Sequence, residues 1–391
     1  MSTHTRESDE TSTALNVGFV GPLGVRTYSF LRYLDELSSA LADVRGIEVS
    51  HVARPEEHAR ERRPSQFLLR RVAGRLRQRL KRRLPRRVAP AIQEFEADVY
   101  HLIAPGDSWV IPELQHDRVV VTVHDILAGA EWAEEAEAPP PSNELARRSE
   151  RFFSSLTNAA HVVCVSELAR QEVLDHVDLA PSKVSVILNG LHPRFRTLAA
   201  TEVDRARSSL PPAASRILQL CSINQARKNT GAVLRVLRQL RGQGHDVRLL
   251  RIGAHFSDAD TRLIAELGIE DAIDELGRVD DDTLVEMYNV ADVMLFPSLH
   301  EGFGWPPLEA MACGTPVVAS NIAACREVIG DAGLLTDPRD VEGLAAHVAA
   351  LLTNESLAAD YRERGHERVA LFTWERAASQ FAELYRAIAA R

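Results

Sequence analysis

Short β-branched runs alternate with amphipathic stretches at helical spacing along most of this chain, which predicts parallel sheets built from βα units. The runs predicted as strands in the first half are residues 15–20, 47–52, 99–102, 119–123, 162–165 and 184–187. A second series follows at 216–220, 247–252, 293–296 and 316–319. Between the two series lies the turn-rich stretch Asn189-Gly-Leu-His-Pro-Arg-Phe195, which suits a linker. The pattern therefore predicts an α/β protein of two Rossmann-like domains facing across a cleft. The first domain is expected over 15–190 and the second over 191–372, with residues 1–14 as a disordered tail. The last stretch, 373–391, carries Trp374, Phe381, Leu384 and Tyr385 at helical spacing and is expected to pack back on the first domain.

Length agrees with two domains, because 391 residues exceed what one ordinary core accommodates. With 45% hydrophobic and 26% charged residues the composition is that of a globular protein and excludes a disordered one. No apolar run approaches the roughly 20 residues that cross a bilayer. The four cysteines, Cys164, Cys221, Cys313 and Cys325, form no CxxC pair and stand among apolar neighbours. They are expected as buried, reduced thiols of a cytosolic protein, with no zinc site.

The net charge of −9 is unevenly spread, since Arg60 to Arg87 holds thirteen Lys or Arg against the single acid Glu61. Within it Leu69, Val72, Leu76, Leu80 and Leu84 recur at helical spacing, while Arg70, Arg71, Arg75, Arg77, Arg79, Lys81, Arg82 and Arg83 fill the other faces. Such a helix can lie on an anionic membrane surface, bind nucleic acid, or simply carry a solvated basic face. Phe67 is the single aromatic residue there, which disfavours nucleic acid.

The densest chemistry is in Val293-Met-Leu-Phe-Pro-Ser-Leu-His-Glu301-Gly-Phe-Gly-Trp-Pro-Pro-Leu-Glu309. A buried strand, a Gly-x-Gly loop and a proline-started helix together bring backbone amides to a helix N-terminus at the carboxyl edge of a sheet, a place that suits a phosphate. Gly302 and Gly304 allow close approach to a ligand, and Glu309 is placed in the first helical turn. Two carboxylates beside an anion site would repel phosphate, so Glu301 and Glu309 are expected to hold sugar hydroxyls on either side of it. Arg227-Lys228-Asn229 opens another helix, where two adjacent cations point to an anion between them or to a solvated surface. The aspartates of Val279-Asp-Asp-Asp282 read as a helix N-cap with acids in the first turn and not as a metal site. His124-Asp125 follows a buried strand on the presumed cleft side, and Gly21-Pro-Leu-Gly24-Val-Arg26 follows the first strand.

These residues resemble glycosyltransferase family 4, over nearly all of the second half and at isolated points of the first. The resemblance implies the GT-B fold, retention at the transferred carbon, no cofactor and no divalent metal. By it, Glu301 binds the transferred sugar beside the amides of Phe303 and Gly304, Glu309 grips the nucleotide ribose, and Arg227 and Lys228 clamp the diphosphate. The matching glycine loop places Gly24 under the diphosphate, the His-Asp pair places His124 against the sugar, and the base lies at Val279. Asp281 could accept from a guanine edge, which favours GDP-mannose over UDP- or ADP-sugars. Ser222 stands where many members place a further arginine. A glycan or lipid-linked acceptor is implied, together with a peripheral place at the inner face of the cell membrane, because several such enzymes use a basic patch in the first domain. The alternatives are a nucleotide-sugar epimerase, a soluble disaccharide or glucan synthase, and a non-catalytic binding protein on the same fold.

Overall fold

A computed structural model describes residues 14–21, 28–52, 95–114, 116–125, 153–221 and 225–391. Gly24, Ser222, the basic stretch at 60–87 and the tail ahead of residue 14 lie outside them.

The first sheet contains β1 Leu15–Val20, β2 Ile47–Val52, β3 Val99–Leu102, β4 Val119–Val123, β5 His161–Cys164 and β6 Val184–Val186. Its order is β2-β1-β3-β4-β5-β6, and every neighbouring pair is parallel. The second contains β7 Ser215–Cys221, β8 Val247–Gly253, β9 Ile273–Gly277, β10 Val293–Phe296, β11 Val317–Ser320 and β12 Leu334–Thr336, in the order β12-β11-β10-β7-β8-β9, again all parallel. Strand order reverses between β10 and β7, and the loops leaving the carboxyl ends of those two strands open a crevice there. Parallel strands are covered by helices on both faces, which is why β4, Val-Val-Val-Thr-Val, is buried at every position.

The Trp374–Ala389 helix crosses from the second domain to the first. Thr373 caps it by accepting from the Arg376 amide at 3.2 Å. Its buried residues, Trp374, Ala377, Phe381, Tyr385 and Ile388 among them, recur at helical spacing and pack with Phe19, Tyr33, Leu37 and Leu41. At the centre of this contact His101 Nδ1 meets Tyr385 Oη at 2.7 Å, and Nε2 meets Thr122 Oγ1 at 2.7 Å. Thr122 Oγ1 in turn meets Tyr33 Oη at 3.2 Å.

His101 is fully buried, and desolvation, with a smaller contribution from His124, pushes its pKa down to about 3. The ring is therefore neutral when folded and takes a proton only on unfolding. Stability from this group is complete above the ordinary value of 6.5 and declines as pH falls from there toward 3. By pH 5 the loss reaches about 2 kcal/mol. Melting temperatures of His101→Gln should accordingly start lower at pH 7 but fall less between pH 7 and pH 5 than those of the parent chain. Parallel slopes would refute this.

All four cysteines are buried and none forms a disulfide. Among the described residues no helix is long and apolar enough to cross a membrane.

Candidate functional site

Two loops of the second domain build the site. The first leaves β10 and runs into the Trp305–Ala312 helix. Gly304 caps that helix with φ 105°, a left-handed conformation that an L side chain resists, and Pro306 and Pro307 follow in the first turn. Because the helix begins at Trp305, Glu309 lies on its second turn and not, as the pattern predicted, on its first. The second loop leaves β7 and forms a 3₁₀ turn at Ala226–Lys228. Asn229 follows with φ 50°, the one non-glycine residue with positive φ among those described. Its side-chain amide explains the strain, for Nδ2 donates to the carbonyls of Pro297 at 3.0 Å and Pro338 at 2.8 Å. The amide of Leu299 donates to the Arg227 carbonyl at 2.8 Å, so the two loops are strapped together.

This strapping sets Arg227 and Lys228 against Glu301. Lys228 Nζ donates to Oε1 at 2.5 Å, and Arg227 Nη1 donates to Oε2 and to the His300 carbonyl, both at 3.2 Å. Glu301 is 7% exposed and Lys228 is 9% exposed. Burial opposes ionisation of the Glu301 carboxyl most strongly, yet Lys228 and Arg227 together outweigh it and hold its pKa below the usual value. The cations expected to flank an external anion thus flank a protein carboxylate in this conformation.

Glu309 is buried on the next turn. Tyr288 Oη donates to its Oε2 at 2.7 Å, and Arg32 Nη1, from the Tyr28–Ala42 helix of the first domain, donates to Oε1 at 2.5 Å. Phe303 is buried, edge-on to Trp305 and Phe372, so its side chain belongs to the core and only its backbone can serve a ligand. Asp280 caps the Asp281–Val290 helix by accepting from the Thr283 amide at 2.8 Å, as the sequence pattern predicts. Val279 is half-buried in the turn before it, and Asp281 is ion-paired with Arg194 from the linker.

The first domain closes the site through backbone. A Cβ on Gly302 would lie 1.9 Å from the His124 carbonyl oxygen. The close approach that Gly302 allows is therefore to the His124 main chain, where the sequence suggested a ligand. Ser166 Oγ donates to the Gly302 carbonyl at 2.6 Å, and its neighbour Glu167 donates its amide to Glu327 at 2.8 Å, on the Ala323–Ile329 helix. His300 Nε2 meets Glu172 Oε1 at 2.9 Å across the same boundary.

His124 Nε2 faces the Ile103 carbonyl at 2.9 Å and must donate to it, which leaves Nδ1 as an acceptor. The rings of Phe30 and Tyr33 stand 4.9 and 4.7 Å away. Desolvation moves the His124 pKa down to about 4, against the opposing hydrogen bond to Ile103, so the ring is neutral and poorly placed to carry a proton near pH 7. Burial raises the Asp125 carboxyl, with Arg227 and His300 opposing.

The structure thus unites Glu301, Arg227, Lys228, Gly302 and His124 in one place, with Glu309 adjoining. Arg32, Tyr288, Ser166 and Glu172 were not singled out in the sequence. Each is an ordinary helix or cap residue in its own segment and gains meaning only from its partner. Among the described residues no group of His, Cys, Asp and Glu is arranged to hold a metal ion.

Two family models match the chain, one described as Glycosyltransferase Family 4 over residues 31–195 and one as Glycosyl transferases group 1 over residues 204–368. The chain is 27% identical over 305 residues to the O-antigen chain mannosyltransferase B of Escherichia coli, covering 77% of each. It is 30% identical over 282 residues to the MMP alpha-(1->4)-mannosyltransferase of Mycolicibacterium hassiacum, covering 70% of this chain and 66% of that one. Its fold is similar to that of sucrose-phosphate synthase from Thermosynechococcus elongatus, with a TM-score of 0.74 at 22% identity over 96% of this chain and 99% of the other.

Proposed function

The chain belongs to glycosyltransferase family 4 and is a glycosyltransferase of the GT-B fold, and from that premise we propose that it moves a hexose, mannose favoured, from a nucleoside-diphosphate sugar to a glycan or lipid-linked acceptor with retention. The observation that carries this reading is the ion-paired set of half-buried Arg227 with buried Lys228 and Glu301, pressed against His124 of the first domain at Gly302.

On this reading the diphosphate draws the two cations from Glu301, and the carboxylate is released to accept from the sugar hydroxyls. The same cations, with the amides at the start of the Trp305–Ala312 helix, then stabilise the charge that develops on the leaving phosphate oxygen. Glu309 takes the ribose hydroxyls, and the Val279 backbone meets the base. The second domain thus holds the nucleotide sugar, while the first brings the acceptor to the face from which the diphosphate departs. A phosphate oxygen on that face removes the proton from the acceptor hydroxyl, with no covalent nucleophile and no metal ion. His124 orients the sugar through its acceptor Nδ1, a role that a neutral ring with a pKa near 4 supports. Gly24, outside the described residues, is assigned to the diphosphate by the resemblance of its glycine loop alone.

Mannose is favoured because two relatives at 27% and 30% identity are named as mannosyltransferases. A guanine edge reaching Asp281 would compete with Arg194 for its carboxylate, so GDP is the first nucleotide to test, with UDP and ADP as alternatives. Contact with an anionic membrane rests on the basic stretch 60–87 alone.

A thermal-shift panel of GDP, UDP and ADP tests the reading. One nucleotide should raise the melting temperature well above the others. The matching sugar donor should then turn over without a divalent metal, and proton NMR of the product should show the donor's anomeric configuration. No shift with any nucleotide would end the proposal, and inverted product would end the retaining mechanism. Isomerisation of the donor with no acceptor present would establish the epimerase instead.

A further inference from the structure

Glu309 has a partner that the ribose assignment leaves unexplained. Its side chain is 3% exposed, and one of the two groups that hold it comes from the other domain. Arg32 donates to Oε1 while its guanidinium lies 4.9 Å from the Phe195 ring centroid and 5.0 Å from that of Trp305. The opposite oxygen is held by Tyr288. A ribose diol needs the same carboxylate oxygens and the same space, and a side chain so fully covered has no room for both. A desolvated guanidinium hydrogen-bonded to a carboxylate and stacked on aromatic faces is also a strong contact, so its displacement has a substantial cost.

We propose that Arg32 is a built-in competitor at the nucleotide site: the ribose of a nucleoside diphosphate reaches Glu309 only by displacing the Arg32 guanidinium, so donor entry is coupled to separation of the two domains there. This rests on the assignment of Glu309 to the ribose. A contact made in one conformation and broken in the ligand-bound one opposes binding by its own strength. The displaced guanidinium has a second carboxylate within reach on its own helix, for Arg32 Nε already lies 3.9 Å from Glu36 Oε1. Moving to Glu36 would keep a carboxyl beside the guanidinium, while Glu309 would keep the Tyr288 hydroxyl and gain the ribose hydroxyls as hydrogen-bond donors.

The test is calorimetric titration of Arg32→Met and the parent chain with the nucleoside diphosphate that the thermal panel selects, and with inorganic pyrophosphate. Methionine keeps an unbranched stem between the two rings and removes the charge. The variant should bind the nucleoside diphosphate about tenfold more tightly, the size expected when one charge-assisted hydrogen bond no longer competes. It should bind pyrophosphate, which has no ribose, as the parent does. Without nucleotide it should melt lower, and the increment that nucleotide adds should be larger. Equal or weaker binding of the nucleoside diphosphate would overturn the proposal. If the methionine variant does not fold, Arg32→Gln is held to the same outcomes. Glu309→Gln separates the two ideas. Weakened nucleoside diphosphate binding with unchanged pyrophosphate binding upholds the ribose assignment, whereas unchanged binding of both would remove that assignment and the competition with it.

Discussion

Replacing Lys228 by methionine should lower turnover at saturating donor by about a hundred- to a thousandfold, the loss seen when one donor to a developing oxyanion is removed. Methionine keeps the apolar stem close to the Phe296 ring, which lies 5.5 Å from Nζ, so the packing lost is small. What is lost is the cation that holds Glu301 ionised. In the parent chain burial pushes that carboxyl up, and Lys228 is the largest opposing influence. With Lys228 gone only Arg227 and the Ser298 hydrogen bond oppose the burial, and the Glu301 pKa rises. The remaining activity should therefore fall off at a higher pH on the acid limb than in the parent. Stability and catalysis can be separated with Glu301→Gln, which removes the buried charge left under-compensated. The double variant should regain melting temperature without regaining turnover. Full turnover in Lys228→Met, or rescue of turnover by the second substitution, would reduce Lys228 to a structural partner of Glu301.

The second large effect is expected from a single methyl group. Gly302→Ala would place a Cβ 1.9 Å from the His124 carbonyl oxygen and 2.9 Å from its carbon. Both are backbone atoms, so no flexible side chain can yield, and the loop and β4's end must separate by more than an ångström. A displacement of that size between groups that meet across a substrate costs about a hundredfold in turnover. Nucleotide affinity should change far less, since Arg227, Lys228 and Glu309 all remain on the second domain. The contrast with Gly304→Ala is informative. Gly304 has open space around its missing side chain but a φ of 105°, so alanine there strains the helix start without wedging the domains. Wild-type turnover in Gly302→Ala would mean that the contact with His124 does not align the site.

Part of this site is legible in the sequence because part of it is written in local backbone requirements. Gly304, Pro306 and Pro307 are demanded by a helix that must start abruptly after a loop, and Asp280 by a helix that needs a cap. Arg227 and Lys228 stand out because two cations ahead of a helix have no local reason to be there. The central strands are legible for a related reason. Buried on both faces, β10 is a continuous apolar run and β4 is one but for Thr122, and both match their predicted bounds, at 119–123 and 293–296. The strands that escaped notice, β9 with Ile-Asp-Glu-Leu-Gly and β12 with Leu-Leu-Thr, lie at the two edges of the second sheet, where only one neighbour and a partly open face constrain the side chains.

The chain's own pattern, then, determined two series of βα units, the crevice side of each, and the chemistry of the residues gathered in the Glu301–Glu309 loop. Tertiary structure alone decided their pairing. Glu301 faces two cations more than seventy positions away, Glu309 faces an arginine 277 residues distant, and Gly302 owes its small size to the main chain at His124. Periodicity and capping report the few residues on either side of a position, because those set its backbone conformation and its exposed face. They carry no record of what docks there, which depends on how two independently formed sheets present their edges to each other.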